Sequence, residues 1–186
     1  MLLLKSGDEQ AFRELVERHK LSVLNLCLRF VGNRQDAEDL AQEAFIRVFQ
    51  AAPNYEVKAA FTTWLYRITV NLCLNHQRHK KILRFFSLEQ PKAAHHSSQP
   101  RLPDFPDKQR PDTEFEKKEL QSIIQRAIQS LPENQRSVLI LHRYQNLSYK
   151  EIAEVLGTSV SAVESRLHRA KGSLRKKLES ILEVQR

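Results

Sequence analysis

The sequence predicts an all-α fold, with two small helical domains joined by a proline-rich, flexible linker. Apolar residues recur at spacings of three and four along most of the chain, which is typical of helices that bury one face. Only 4 glycines are present and 8% of the residues are aromatic, which disfavours a sandwich or barrel with many tight turns. Five of the 7 prolines fall between residues 87 and 113, and a helix cannot run through that stretch.

Residues 1–86 are expected to form three helices and no strand of useful length. The first runs from about residue 11 to Gly32, the second from Asp36 to Pro53, and the third from Phe61 to Lys81. Trp64 lies at helical spacing from Phe61 and Ile68, so we expect Trp64 and Phe61 in the core.

Residues 87–113 are interpreted as an extended linker between two domains, 1–86 and 114–186. Each domain carries a net charge of +4 (13 Lys and Arg against 9 Asp and Glu), whereas the linker is neutral (4 against 4). The whole chain of 186 residues has a net charge of +8 and a pI of about 9.7. This balance favours an anionic partner such as nucleic acid or a membrane surface.

In residues 114–186, helices are expected near 115–130 and 132–144, followed by a helix-turn-helix motif. Ser148 and Glu151 fit a capping box, and Leu147 with Ile152 fits the hydrophobic staple that accompanies one. The short helix that they start ends at Gly157, and the next segment offers N-cap residues for a second helix (Thr158, Ser159 and Ser161). In such motifs the second helix enters the DNA major groove.

Helical periodicity separates two faces of that second helix. At 100° per residue, four apolar side chains lie within about 60° of one another and predict the buried stripe: Val163, Leu167, Ala170 and Leu174. The opposite side carries short polar residues with Arg and His, which suit contacts to base edges, while flanking cations suit phosphates. The alternative interpretation is an ordinary basic, solvated face.

Several other classes of protein are disfavoured. No apolar run approaches the roughly 20 residues of a membrane span, and the apolar start "MLLLK" lacks the features of a signal peptide. Cys27 and Cys73 lie within helical apolar patterns, which predicts buried thiols in a reducing cytoplasm. No phosphate-binding loop, nucleophile elbow or zinc-protease helix is present, so we expect neither an enzyme nor a cofactor.

Two groups of residues have the composition of metal ligands. His95 and His96 are adjacent, and Cys73, His76 and His79 recur every third residue on one predicted helix. The second spacing rotates progressively around the helix, and no acidic or thiol partner is near in sequence. We therefore expect no metal site.

Three stretches together resemble bacterial sigma factors of the extracytoplasmic-function (ECF) group of the sigma-70 family. These are "DAEDLAQEAFIRVFQ", "FTTWLYRITVNLCLN" and the long C-terminal stretch from "SLPENQRSVLIL" to "AKGSLRKKL", and the opening "SGDEQAFRELVERH" is similar to the family's first helix. The resemblance implies a promoter-recognition subunit of RNA polymerase, with sigma domain 2 at 1–86 and sigma domain 4 at 114–186. It implies contacts with the clamp of the largest polymerase subunit, the flap of the second-largest subunit, and promoter DNA.

The resemblance also implies roles for individual residues. The polymerase-binding surface would be a polar stripe on the second helix: Asp39, Gln42, Glu43 and Arg47. The −10 element would be bound and melted by the loop 54–60 and the third helix: Asn54, Lys58, Arg67, Asn71, Arg78, Lys80 and Lys81. An ordinary solvated face is the alternative interpretation of the stripe.

At the −35 element, similarity points to the same helix face that periodicity identifies. The base-contacting residues would be Glu164, Ser165, His168 and Arg169, with Ser161 on the same side and with Arg166 and Lys171 on phosphates. Relatives often carry Arg at the position of Glu164, and a Glu there would instead accept a hydrogen bond from a cytosine amine.

The resemblance further implies a cytoplasmic bacterial protein that is commonly held by an anti-sigma factor. Two other functions fit part of the sequence. A free-standing regulator would bind operator DNA through 147–178, but it has no reason to carry "DAEDLAQEAF" and "FTTWLYRITVN". A mimic that sequesters a sigma antagonist would not need the basic recognition face.

Overall fold

The computed structural model describes residues 1–87 and 111–184, with side chains for 1–86 and 119–180. These residues form eight α-helices, one short 3-10 turn and no strand, so the predicted all-α class is confirmed. They divide into an N-terminal unit (1–56 and 68–87) and a C-terminal unit (57–67 and 111–184). The predicted domain boundaries stay a prediction, since most of the proposed linker lies outside the described residues.

The N-terminal helices begin and end where local chemistry satisfies their free backbone groups. They are α1 (Leu2–Lys5), α2 (Glu9–Val31), α3 (Arg34–Ala51), the 3-10 turn Ala52–Asn54, and α4 (Phe61–Ser87). The Asp8 side chain caps α2 by accepting from the Ala11 amide, and Gly32 ends α2 in the left-handed region at φ 80°. Asn33 then caps α3 by accepting from the amide of Asp36.

The core of the N-terminal unit is apolar and fully enclosed. Val23 and Phe30 of α2, Ala44 and Val48 of α3, and Val70 of α4 are all 0% exposed. Burying a side chain such as Val or Phe stabilises a fold by roughly 1.5–3 kcal/mol.

The two cysteines belong to this core, as the sequence predicted. Cys27 and Cys73 are both buried and both free thiols. A hydrogen bond with Cys27, together with burial, raises the pKa of Cys73. The Cys73 side chain therefore stays in the unreactive thiol form at neutral pH.

The C-terminal unit contains α5 (Pro111–Gln129), α6 (Glu133–Gln145), α7 (Tyr149–Leu156) and α8 (Val160–Val184). Helix α8 packs against the other three helices. Asn146 ends α6 in the left-handed region at φ 53°. The interior is built from fully buried side chains of α6, α7 and α8: Val138, Ile140, Leu141, Ile152 and Val163.

The helices depart most from the sequence-based expectation in three places. Helix α1 was not expected at all, α4 continues past Lys81 to Ser87, and α5 begins at Pro111 rather than near Phe115. A proline at the first helical position lacks only an amide that would have no intrahelical partner, so it starts a helix readily. Trp64 and Phe61 are partly rather than fully buried, with ring centroids 6.0 Å apart.

None of the described helices combines the length and the hydropathy that a bilayer span requires.

Candidate nucleic-acid and polymerase interfaces

Helices α7 and α8 both begin with capping hydrogen bonds of the kind that the sequence predicted. The Ser148 amide donates to the Glu151 carboxylate at 2.8 Å, and the Glu151 amide donates to Ser148 Oγ at 3.3 Å, which completes the capping box. The Ser148 hydroxyl also donates to the Glu151 carboxylate at 2.6 Å, and this hydrogen bond, together with the one from the Ser148 amide, lowers the pKa of Glu151. Gly157 ends α7 at φ 61°, a conformation that favours glycine, and Ser159 Oγ then accepts from the Ala162 amide at 3.2 Å.

Helix α8 presents two chemically distinct faces. Val163, Leu167 and Ala170 are buried, and Leu174 is partly buried, so the predicted apolar stripe faces the interior. The predicted base-contacting side is exposed: Ser161, Glu164, Ser165, His168, Arg169 and Lys171. Arg166 is partly buried.

Four of these exposed residues share one concave surface. Glu164, Ser165, His168 and Arg169 line an open depression of about 570 Å³. Arg169 Nε donates to the backbone oxygen of Ser165 at 3.2 Å, which orients the guanidinium along the helix. The depression therefore combines an acceptor, a hydroxyl, an imidazole and a cation within two helical turns.

Helix α3 presents the predicted polar stripe to solvent. Asp39, Gln42 and Arg47 are exposed, and Glu43 is partly buried. Glu43 Oε1 lies 2.8 Å from Arg47 Nε, so these two residues form an ion pair one turn apart.

Sequence reasoning missed an apolar residue at the centre of this stripe. Ile46 is 49% exposed, although it is large and apolar, and helical geometry places it between Asp39, Gln42 and Glu43. The signal that would have found it is an isoleucine on the side of the helix opposite to the buried positions. Phe49 is also 47% exposed, and its ring contacts Phe12 edge to face at a centroid distance of 5.1 Å.

The residues predicted to contact the −10 element are all exposed. Asn54 ends the 3-10 turn and Lys58 lies in the loop after it. The others lie along α4: Arg67, Asn71, Arg78, Lys80 and Lys81. Arg67 and Asn71 are one turn apart on that helix.

Within this group, the Lys80 ammonium contacts the carboxylate of Asp36 at the start of α3. His76 Nε2 lies 3.1 Å from the same Asp36 oxygen. Burial raises the pKa of Asp36, but hydrogen bonds from Lys80 and Asn33 and the neighbouring His76 ring outweigh it, and the net shift is downward. Asp36 is therefore a charged junction between α3 and α4.

A second depression, of about 450 Å³, lies between α5 and the C-terminal part of α8. It is lined by three cationic side chains, two serines and one alanine: Arg126, Lys176, Lys177, Ser130, Ser180 and Ala127.

The residues considered as metal ligands are not brought together. Cys73 is buried against Cys27, His76 contacts Asp36, and His79 is exposed. No group of three or more His, Cys, Asp or Glu side chains suited to a metal occurs among the described residues. His95 and His96 lie outside them.

Comparison with known proteins identifies the family. The model of sigma-70 region 2 matches residues 15–82, and that of sigma-70 region 4 matches residues 121–174. The ECF RNA polymerase sigma factor SigW of Bacillus subtilis is 35% identical over 178 residues, which cover 96% of this chain and 94% of that protein. The RNA polymerase sigma-H factor of Pseudomonas aeruginosa is 34% identical, covering 96% of this chain and 92% of that protein.

Two solved structures are similar in fold over most of the chain. CnrH, in complex with the cytosolic domain of CnrY, has a TM-score of 0.68 at 25% identity, covering 96% of this chain and 94% of that one. The sigma factor RpoE of Bartonella quintana, in complex with the anti-sigma factor NepR, has a TM-score of 0.68 at 19% identity, covering 91% and 98%. With the two family matches and the close relatives, the chain belongs to the ECF group of RNA polymerase sigma factors, which serve promoter-specific initiation of transcription.

Proposed function

We propose that this sigma factor recruits core RNA polymerase to promoters by contacting the −35 duplex with α8 and by melting and holding the −10 element with α4 and the preceding loop. The observation that carries the proposal is the exposed face of α8, which combines hydrogen-bonding side chains and cations after a capped turn. The polymerase supplies the chemistry, and this chain supplies recognition.

At the −35 element, the four residues that line the depression on α8 would contact base edges. Arg169 is suited to guanine and Glu164 to the amine of cytosine. Lys171 and the partly buried Arg166 flank this face and would neutralise phosphates, which fixes the register of the helix in the groove.

At the −10 element, the protein must stabilise a base outside the duplex, at a cost of a few kcal/mol. The exposed loop residues Asn54 and Lys58 and the exposed pair Arg67 and Asn71 would supply hydrogen bonds to the opened strand. Arg78 and Lys81 extend the cationic surface along α4. Lys80 is considered separately below, since its ammonium contacts the Asp36 carboxylate.

For the polymerase clamp, we assign the α3 surface formed by Asp39, Gln42, Glu43, Ile46 and Arg47. An exposed apolar side chain ringed by polar ones is the usual arrangement of an interface hot spot. For the polymerase flap, we assign the basic depression between α5 and α8, because its three cations favour an acidic segment.

We further propose that an anti-sigma factor holds this chain in the cytoplasm. The support is the similarity to RpoE, whose structure contains the anti-sigma factor NepR.

In vitro transcription with purified core polymerase and a library of promoter sequences tests the proposal. We expect initiation from a restricted set of promoters that share a −35 and a −10 sequence, and none with core alone. A chain that binds duplex DNA without changing initiation by core polymerase would instead be a free-standing regulator, and the proposal would be wrong.

A further inference from the structure

The junction at Asp36 joins three side chains from two helices. Asp36 lies in the first turn of α3, and its carboxylate contacts both the Lys80 ammonium and the His76 ring of α4. Asp36 is only 20% exposed, whereas Lys80 is 47% exposed. The Asp36 carboxylate is therefore mostly buried, and the Lys80 side chain contacts it from the solvent-exposed side.

A second polar contact lies beside the junction. The side-chain amide of Gln77 donates to the backbone oxygen of Phe30, in the last turn of α2. Residues 76, 77 and 80 of α4 thus hold the end of α2 and the start of α3. These contacts are directional, whereas the hydrophobic burial beneath them is not.

Lys80 and Lys81 are neighbours with different surroundings. Lys81 is exposed and forms no ion pair with any described residue, whereas the charge of Lys80 is balanced by Asp36. To neutralise a DNA phosphate, Lys80 would have to leave that carboxylate, and Asp36 would then remain as a negative charge beside the DNA. Lys81 has no such cost.

We propose that Asp36 is a positioning residue that fixes α4 against the α2–α3 corner for promoter opening, and that Lys80 serves this junction instead of a promoter phosphate. The inference rests on the proposed function, because α3 carries the polymerase surface and α4 carries the −10 surface. The junction keeps the two surfaces in one fixed geometry while the DNA strands separate.

The role of Lys80 is tested by the salt dependence of promoter binding. Holoenzymes with Lys80→Met and with Lys81→Met are compared on a promoter fragment that contains both elements. Each phosphate contact adds about 0.7–0.9 to the slope of log K against log salt concentration. We expect Lys81→Met to reduce the slope by that amount and Lys80→Met to leave it unchanged. An equal reduction for Lys80→Met would overturn the assignment.

The role of Asp36 is tested with Asp36→Asn, which keeps the shape and removes the charge. Open-complex formation is measured on a duplex promoter and on one whose −10 region is already unpaired. We expect a several-fold slower rate on the duplex, little change on the unpaired template, and restoration by Asp36→Glu. A purely structural role predicts equal losses on both templates, in proportion to the unfolded fraction, and that result would overturn the proposal.

The matched control is Glu38→Gln, which removes an ion pair with Arg34 of 2.7 Å that lies wholly within α3. We expect this variant to open the duplex promoter at the normal rate. Core binding by every variant is measured alongside. If the unaltered chain failed to direct initiation at all, the proposed function would be wrong. If the unaltered chain directs initiation and the Asp36→Asn variant opens the duplex promoter at the same rate, only the junction is refuted.

Discussion

The recognition helix α8 and the pair α3–α4 present charged residues in two different ways. On α8, the exposed residues that line the depression form no ion pair with another described residue, and the surface is held in place by the helix cap and by the buried apolar stripe on the opposite side. On α3 and α4, several charged residues already have partners within the protein, as in Glu43–Arg47 and Asp36–Lys80. A charged residue that a sequence pattern assigns to an interface is therefore available to a partner molecule only when no residue of the same protein already pairs with it.

The largest expected effect tests the α3 surface. Because Glu43 and Arg47 already pair with each other, we expect the uncharged Ile46 to contribute most to core binding. Ile46→Glu places a carboxylate at the centre of the proposed clamp interface, where it would be desolvated. Truncating a hot-spot residue costs 2 kcal/mol or more, so we expect core binding to weaken by at least about 30-fold in a fluorescence titration.

Leu21→Glu is the matched control for this change, since Leu21 of α2 is an apolar side chain with 68% exposure outside the proposed surface. Its affinity for core should stay within twofold of the unaltered chain. Normal core binding by Ile46→Glu would show that Ile46 is not part of the interface. The assignment of α3 to the polymerase clamp would then depend on the polar stripe alone.

The next effect tests α8. Arg169→Ala removes a cation that is proposed to contact a base edge, and a good bidentate contact contributes about 1–3 kcal/mol of discrimination. We expect weaker binding to the −35 duplex and a relaxed preference at one base position, measured by selection from a randomised −35 library.

Arg175→Ala is the control on the same helix, because Arg175 is exposed and pairs with Glu179 at 2.8 Å. Its base preference should not change. If Arg169→Ala kept both the affinity and the preference of the unaltered chain, Arg169 would not be a base-contacting residue.

These two surfaces also show how far the sequence alone could lead. The caps of α7 and α8 and the two faces of α8 follow from local rules, because capping depends on residues within one turn and burial follows helical periodicity. The positions of Ser148, Gly157 and Val163 were accordingly predicted correctly.

The Asp36 junction could not be predicted in the same way. Asp36 and Lys80 are 44 residues apart, and no local pattern indicates that they meet. Ile46 was missed for another reason, since the polar stripe was identified from its charged and amide side chains, although helical periodicity places Ile46 on the same side. The residues of α4 beyond Lys81 include apolar side chains that are exposed in the structure. Helical periodicity therefore could not predict where α4 ends.

A moderate effect tests whether the α8 surface depends on its caps. Ser148→Ala removes the hydroxyl of the capping box and should lower the free energy of unfolding of the C-terminal unit by about 1 kcal/mol. Urea denaturation of the full chain, followed by circular dichroism, measures the change. Glu154→Gln on the same helix should change stability by less than about 0.5 kcal/mol. Equal stabilities for Ser148→Ala and the unaltered chain would mean that a hydrogen bond from the Glu151 amide to water is as favourable as the one to Ser148 Oγ.

The smallest expected effect tests the Asp36–Lys80 ion pair between α3 and α4 through the pH dependence of stability. The folded pKa of Asp36 is lowered, so its contribution to stability is fully present above the unfolded value of about 3.9 and is lost as pH falls through the folded value. Asp36→Asn should therefore be less stable than the unaltered chain at pH 6, by less than about 1 kcal/mol for a partly exposed pair, and the difference should shrink towards pH 3. Urea unfolding of both proteins over this range gives the measurement. A difference that stayed constant with pH would mean that ionisation of Asp36 does not contribute to stability, and the electrostatic junction between α3 and α4 would not exist.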